Sequence, residues 1–172
     1  ATLRLGSGAV VAGADLARVV EEARVVKLTL NAFPTHYPRP ILEQATIAGA
    51  LLPGVLDADP QGTADAVAAR LDMIAAEYER GWQVRPTQDA GLRLWRTLRV
   101  VDEVRVLDGF ALRSGEARRL ASMTHGLQEI YGTTATLVRK DREQPIYAPT
   151  ELLDAVMREG EKGLTLQRYK GL

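Results

Sequence analysis

The chain has 172 residues and carries 22 basic and 22 acidic side chains, so its formal net charge is zero. This balance argues against a domain whose whole surface attracts nucleic acid, because dedicated binders usually show a basic excess. Hydrophobic residues make up 46% of the sequence, and no apolar run approaches the roughly 20 residues that a membrane span needs. The absence of cysteine excludes disulfides, thiolate zinc sites and thiol nucleophiles. The opening residues alternate like a strand, so no signal peptide is expected.

The first part of the chain is predicted to be mostly helical. Gly6-Ser7-Gly8 separates two short apolar runs, which predicts a hairpin. Apolar residues spaced by threes and fours then predict a long helix over about 14–33, and a shorter helix over about 40–48. After a polar loop at 57–62, Thr63 is a good N-cap for a helix that reaches about Arg80. Residues 1–81 are therefore expected to form a helix-rich lobe.

The remaining chain predicts a mixture of strands and helices. Residues 82–85 are typical of a strand, and residues 92–100 alternate between apolar and polar positions before a turn at Asp102-Glu103. Ser114 is placed to cap a helix that reaches about Tyr131. Two short strands, a helix capped by Thr150 and a final strand at 164–169 complete the prediction. The expected fold class is α+β, and its second lobe, at 82–163, should hold two helices and a small, mostly antiparallel sheet.

The end of the chain, Gln167–Leu172, carries the most specific pattern. It resembles the segment of DNA gyrase B subunits and other type IIA topoisomerases at which the Toprim domain resumes, where the family continues with Gly-Glu-Met. A helix that closes on Tyr37-Pro38, a helix that opens near Arg118-Arg119-Leu120 and the segment Glu161–Leu164 extend the resemblance over nearly the whole chain. The sequence thus resembles the large insertion that many Gram-negative gyrase B subunits carry within the Toprim domain.

This resemblance implies a non-catalytic accessory domain in the cytoplasm. It would support ATP-dependent negative supercoiling through contacts with the cleavage core, the gyrase A subunit and duplex DNA. ATP and Mg²⁺ would be cofactors of the parent topoisomerase, an isomerase, and the fragment itself is expected to be inactive. Residues 164–172 would be a truncated strand that returns to the Toprim domain, and the least self-sufficient strand of the chain. The alternatives are an independent duplex-DNA-binding module or a small enzyme, although the sequence offers no catalytic constellation for the latter.

Clusters of basic residues are the candidates for DNA contact, because such groups neutralise phosphates without reading sequence. The turn around Asp141 is the clearest cluster, a predicted helix supplies two more cations, and the resemblance adds two near the chain end. Solvated faces with acidic neighbours are the alternative explanation. The candidates are Arg139, Lys140, Arg142, Arg118, Arg119, Arg168 and Lys170, with Arg93, Arg96, Arg99, Arg105 and Arg113 as further basic residues nearby in sequence.

The Asp57-Ala58-Asp59 segment has the spacing of the carboxylate pair that holds magnesium in Toprim domains. Only two apolar residues separate it from Pro53-Gly54, however, and Pro60 and Thr63 follow, so a loop that leads into a helix is the better interpretation. We therefore expect no metal site at Asp57 and Asp59.

The remaining chemistry-bearing side chains are also expected to be structural. His36 and His125 lack companions at ligand spacing, so no catalytic residue is predicted. Trp82 and Trp95 are expected to pack rather than to stack on bases. Arg96 lies on the apolar face of its strand and is expected to pair with a buried carboxylate or to reach the rim.

Overall fold

The computed structural model describes the backbone of residues 1–169 and the side chains of residues 1–160. Within these ranges, helices combine with two small antiparallel sheets, which confirms the predicted α+β fold class. In chain order the elements are β1 (Thr2–Arg4), β2 (Val10–Val11), α1 (Gly13–Asn31), α2 (Arg39–Ile47), α3 (Val55–Ala58), α4 (Pro60–Ile74), a 3₁₀ turn (Glu77–Glu79), β3 (Gln83–Pro86), β4 (Leu92–Leu98), β5 (Val101–Leu107), α5 (Gly109–Leu112), α6 (Gly115–Ser122), α7 (Thr124–Tyr131), β6 (Ala135–Arg139), β7 (Arg142–Ile146) and α8 (Pro149–Tyr169).

The chain divides into two compact units, and one of them is discontinuous in sequence. The first combines Ala1–Lys27 with Thr133–Leu172, and the second is Leu28–Gly132. The discontinuity follows from strand pairing, because β1 runs antiparallel to β6 and Leu3 lies opposite Leu137. The lobes predicted at 1–81 and 82–163 have other boundaries and remain a prediction about domain organisation.

The first unit contains a four-stranded sheet in the order β2-β1-β6-β7. Alternation along the strands places Leu3, Leu137 and Ile146 in full burial, and Leu152 of α8 is equally buried. Lys140 and Asp141 form the two-residue turn between β6 and β7, so that Arg139 lies opposite Arg142. One end of the sheet therefore carries a turn rich in basic residues.

The second unit contains a three-stranded sheet in the order β3-β4-β5. The pairing of β4 with β5 runs without a bulge from Leu92 opposite Leu107 to Leu98 opposite Val101. Its inner face is apolar, because Val84, Leu92, Leu94 and Leu107 are all buried. The helices of this unit contribute further buried side chains, among them Leu42, Val67, Leu71, Leu120, Leu127 and Tyr131.

Several predicted boundaries need correction. The cap of α4 is Asp59 rather than Thr63, since the Asp59 carboxylate accepts a hydrogen bond from the Gly62 N–H at 3.1 Å, and the helix ends at Ile74. The hairpin turn lies at Arg99-Val100, and Asp102-Glu103 belongs to β5. A two-residue turn lets the strand that begins at Val101 pair with β4 immediately. Ser114 does cap a helix, through its Oγ and the Ala117 N–H, but the helical segment divides into α6 and α7.

The predicted final strand at 164–169 is wrong, because α8 continues through this segment to Tyr169. The alternation of Leu164 and Leu166 suggested a strand, but Glu161, Lys162, the leucines and Gln167 are good helix formers, and no proline interrupts the helix that begins at Pro149. Extending an existing helix avoids the cost of a new nucleus. Residues 170–172 lie outside the described part of the chain.

Candidate nucleic-acid interface

Arg139, the first member of the predicted basic turn, is engaged within the fold. Its Nη1 lies 2.9 Å from Glu159 Oε1, and its Nη2 donates to Gln144 Oε1 at 2.7 Å. Only 11% of its side chain is exposed. A guanidinium that is held this way anchors β6 to β7 and α8 and is not free to meet a phosphate.

The other two members of the turn cluster, Lys140 and Arg142, are exposed. They alternate with the equally exposed Asp141 and Glu143, so the local charge is nearly balanced. Glu143 also accepts two hydrogen bonds from Arg4, at 3.2 and 3.3 Å, and this bonding together with the arginine's charge lowers the pKa of the Glu143 carboxyl. The turn thus offers two cations next to exposed carboxylates.

The predicted cations of α6 also differ from each other. Arg119 lies 3.6 Å from Glu116 in a surface pair, which contributes little to stability. Arg118 is exposed and lines a small open pocket together with Arg113 and Asp57. Because Asp57 shares this pocket, the positive potential there is partly cancelled.

Arg96 pairs with a carboxylate as expected, but this carboxylate, Glu103, is partly rather than fully buried. Its guanidinium stacks on the ring of Trp82, 4.5 Å from the ring centroid, and its Nε lies 2.9 Å from Glu103 Oε2. Trp82 is buried, so it packs as predicted. Arg105 lies 3.5 Å from the other oxygen of Glu103. This face of the sheet therefore holds its cations in a structural network.

The opposite face of the three-stranded sheet carries two exposed arginines beside aromatic and apolar side chains. We call it the outer face and define it by Arg85, Arg93, Trp95, Val104 and Val106. The register sets Arg85 directly opposite Arg93, and Trp95 opposite Val104. Both arginines are exposed, and the Arg93 guanidinium lies 4.7 Å from the centroid of the half-buried Trp95 ring.

The facing arginines are unusual because like charges directly opposite each other in a sheet are destabilising. Neither residue takes part in the salt bridges of the described side chains. The two arginines face each other because of the register of β3 with β4. Asp89 orders the connection between these strands, since its carboxylate accepts hydrogen bonds from the Thr87 hydroxyl and the Gly109 N–H. These bonds lower the pKa of the Asp89 carboxyl.

Sequence reasoning named Arg93 but missed Arg85. The alternation of residues 92–98 placed Arg93 on the polar face, and Arg85 ends the predicted strand at 82–85. Only the pairing register of β3 with β4 brings the two together. A hairpin prediction across residues 87–91 was the one sequence signal that could have found the pair.

The other predicted residues carry no site chemistry in the structure. Asp59 is a helix cap, the ring of His36 contacts that of Tyr37, and His125 is exposed on α7. Among the described residues no group of three or more His, Cys, Asp and Glu could hold a metal ion. The side chain of Arg168, which falls in α8, and the whole of Lys170 lie outside the described residues.

Comparison with known proteins gives a relationship over the full chain. All 172 residues align with the DNA gyrase B protein of Caulobacter vibrioides, strain NA1000 / CB15N, at 37% identity, and the same holds for strain ATCC 19089 / CIP 103742 / CB 15. The chain is similar along its whole length to part of gyrase B. This confirms the resemblance to gyrase B that was predicted from the sequence. The placement of that part within the Toprim domain stays a prediction.

The chain spans 20% of the length of these gyrase B relatives. No family model matches it. None of the helices in the described residues combines the length and apolar character that a membrane crossing requires. The match to gyrase B therefore rests on a continuous alignment of this region alone.

Proposed function

We propose that the chain is a non-catalytic accessory region of a gyrase B-type protein, inserted in the Toprim domain. It supports ATP-dependent negative supercoiling in the cytoplasm through contacts with the cleavage core, the gyrase A protein and duplex DNA. The full-length similarity to gyrase B, at 37% identity, is the observation that carries this proposal. ATP and Mg²⁺ serve the remainder of the parent, and this region contributes architecture.

Within this role, the outer face is the best-supported surface for DNA. An anion that approaches Arg85 and Arg93 relieves their mutual repulsion, so phosphate binding recovers free energy that the free sheet lacks. The contact is electrostatic and independent of DNA sequence, as expected for residues that contact only the phosphates of the DNA backbone. Trp95 orients the guanidinium of Arg93 by stacking, which reduces the ordering cost of the contact.

The exposed cations of the turn and of α6 are secondary contacts. Lys140, Arg142 and Arg118 are accessible, but each has a carboxylate nearby in sequence or in the same pocket. Arg139 and Arg119 are already paired. We therefore place the main DNA affinity on the outer face and a smaller share on the remaining predicted residues.

Deletion of this region from the full-length parent protein tests the accessory role. Supercoiling and DNA affinity should fall strongly, whereas ATP hydrolysis in the absence of DNA should remain, because the ATPase site lies elsewhere in the parent. A full-length variant with Lys140→Gln and Arg142→Gln measures how much of the loss is due to the exposed cations of the β6–β7 turn. Unchanged supercoiling and unchanged DNA affinity after deletion would contradict the proposal.

The second candidate is an independent duplex-DNA-binding module without a topoisomerase role, and the exposed arginine pair is the observation that favours it. The two functions differ in what the isolated chain does. An independent module binds duplex DNA on its own, with an affinity that falls as salt increases. An accessory region adds measurable affinity only within the assembled enzyme, so a flat titration of the isolated chain at low salt excludes the second candidate.

A further inference from the structure

The β5 strand is a long exposed sheet edge whose protection is charge alone, from Asp102, Glu103 and Arg105. Natural sheets protect edges with charged side chains, by making them short, or by placing proline, bulges or covering elements on them. Among the described residues, β2 has two residues, β3 has four and ends in Pro86, and β7 contains Pro145. In contrast, β5 has seven residues, no proline and no bulge in its register.

The outward hydrogen-bonding groups of β5 can be assigned from its turn. Leu98 and Val101 flank a two-residue turn, so they form a hydrogen-bonded pair, and the pairs alternate from there. The backbone N–H and C=O groups of Asp102, Val104 and Val106 therefore point away from β4. The structure agrees, because the Val104 carbonyl accepts a hydrogen bond at 2.9 Å from the Nη1 of Arg105 and not from the sheet.

The sequence of β5 is complementary to itself in the antiparallel direction. When two copies pair with Val104 at the two-fold axis, Asp102 lies opposite Val106 of the other copy, and Glu103 lies opposite Arg105. Opposite charges meet twice and no like charges meet, which is the pairing that cross-strand energetics favour. In this register the outward N–H and C=O groups of Asp102, Val104 and Val106 form hydrogen bonds with the same groups of the second copy.

We propose that β5 is a self-association edge, at which a second copy of this chain adds its own β5 in antiparallel register centred on Val104. Pairing joins the two three-stranded sheets into one continuous sheet and satisfies the outward backbone groups of both strands. Arg105 then exchanges the Val104 carbonyl and its own Glu103, which lies 3.5 Å away, for Glu103 of the second copy. The exposed Val104, at 41%, and Val106, at 46%, become cross-strand contacts. Self-association at this edge uses the backbone groups of β5 and not the arginine pair of the outer face, so it does not rest on DNA binding.

A cysteine cross-link tests the register directly, because the chain contains no cysteine. In the proposed dimer the Cα atoms of residue 104 face each other at about 5.5 Å, a separation that permits a disulfide. Val104→Cys should cross-link under mild oxidation several-fold faster than Val10→Cys, which places the thiol on an exposed valine of β2 instead. Equal rates for the two variants would overturn the proposal.

Sedimentation equilibrium of the unmodified chain supplies the second test. The average mass should rise toward that of a dimer with concentration, and Val104→Pro should keep the chain monomeric, because proline removes an outward N–H without removing a bond to β4. Circular dichroism verifies that this variant folds; if it does not fold, the cysteine pair alone decides. An unmodified chain that stays monomeric at about millimolar concentration, where even weak contacts associate, would show that β5 does not pair with itself.

Discussion

The two long hairpins of this chain, β4–β5 and β6–β7, have turns of the same length but differ in how their cations are paired and how their edges are protected. Each has a two-residue turn. Arg139 lies opposite Arg142 in β6–β7, whereas Arg93 of β4 lies opposite Arg85 of the neighbouring strand β3. In β6–β7, Arg139 is neutralised by Glu159, and Pro145 protects the edge. The outer-face arginines beside the β4–β5 hairpin remain unpaired among the described side chains. Cations that are adjacent in sequence are therefore not always the ones whose charge remains unneutralised in the fold.

The β4–β5 hairpin also has the less favourable turn. Arg99 and Val100 have positive φ values of 49° and 61°, which suits the twist of a hairpin but is costly for a β-branched residue. Val100 is 96% exposed, so packing does not compensate. Neither residue of the β6–β7 turn has a positive φ. A strained turn and an open edge in β4–β5, together with a like-charge pair between β4 and β3, are typical of elements kept for binding rather than for stability.

The largest expected effect concerns DNA affinity. Arg85→Gln with Arg93→Gln should lower the affinity of the full-length parent for duplex DNA by about 10-fold per lost phosphate contact at about 50 mM salt, hence about 100-fold for both. The dependence of log K on log salt should also become shallower by about 1.8. Filter binding or anisotropy over a salt series measures both quantities.

The matched control carries the same charge change in the other hairpin. Lys140→Gln with Arg142→Gln should reduce affinity much less, because Asp141 and Glu143 already offset those charges. If the turn variant loses as much affinity as the outer-face variant, the contrast between the two hairpins does not hold for DNA.

The second prediction concerns stability in the β6–β7 hairpin. Arg139→Ala should lower the free energy of unfolding by about 2 kcal/mol, because it removes hydrogen bonds of a charged group from Glu159 and Gln144. Arg139→Met retains most of the packing volume, so the difference between the two variants separates packing from hydrogen bonding. Urea unfolding measures this, and unchanged stability of both variants would show that Arg139 is free to bind elsewhere.

The sequence predicted the α+β class, the N-terminal hairpin, the long first helix and the polar face of β4, because periodicity and turn residues report directly on local structure. It could not predict that β1 pairs with β6, since that contact joins residues that are far apart along the chain. The same limit hid the candidate site. Arg139 and Lys140 are neighbours in sequence, whereas Arg85 and Arg93 become neighbours only through register.

The end of the chain was mispredicted for a different reason. Leu164 and Leu166 fit both a strand and a helix when only a few residues are considered. The choice is decided by α8, which begins at Pro149 and continues through them. Short apolar runs remain ambiguous until the neighbouring element is known.

The third prediction tests the turn of β4–β5. Arg99→Asn with Val100→Gly supplies the residues that a turn with two positive φ values prefers, and should raise the free energy of unfolding by about 1 kcal/mol. As a control, Lys140→Asn with Asp141→Gly in the other hairpin should give no gain, because that turn has no positive φ to relieve. Thermal or urea unfolding compares the two. A loss of stability in the first variant would show that the turn is not strained.

The smallest effect is the most specific to the outer face. Arg85→Glu converts a like-charge pair with Arg93 into an opposite-charge pair, which should stabilise the fold by about 0.5 kcal/mol at low salt. The same change should weaken DNA binding more than Arg85→Gln does, because a carboxylate now repels phosphate. High salt should remove most of the stability gain, since exposed pairs are screened. Opposite signs for stability and DNA affinity in one variant would show that the arginine pair is kept for an anionic partner. If the variant is no more stable than the parent, the two guanidinium groups do not repel each other, and electrostatic conflict does not explain the pair.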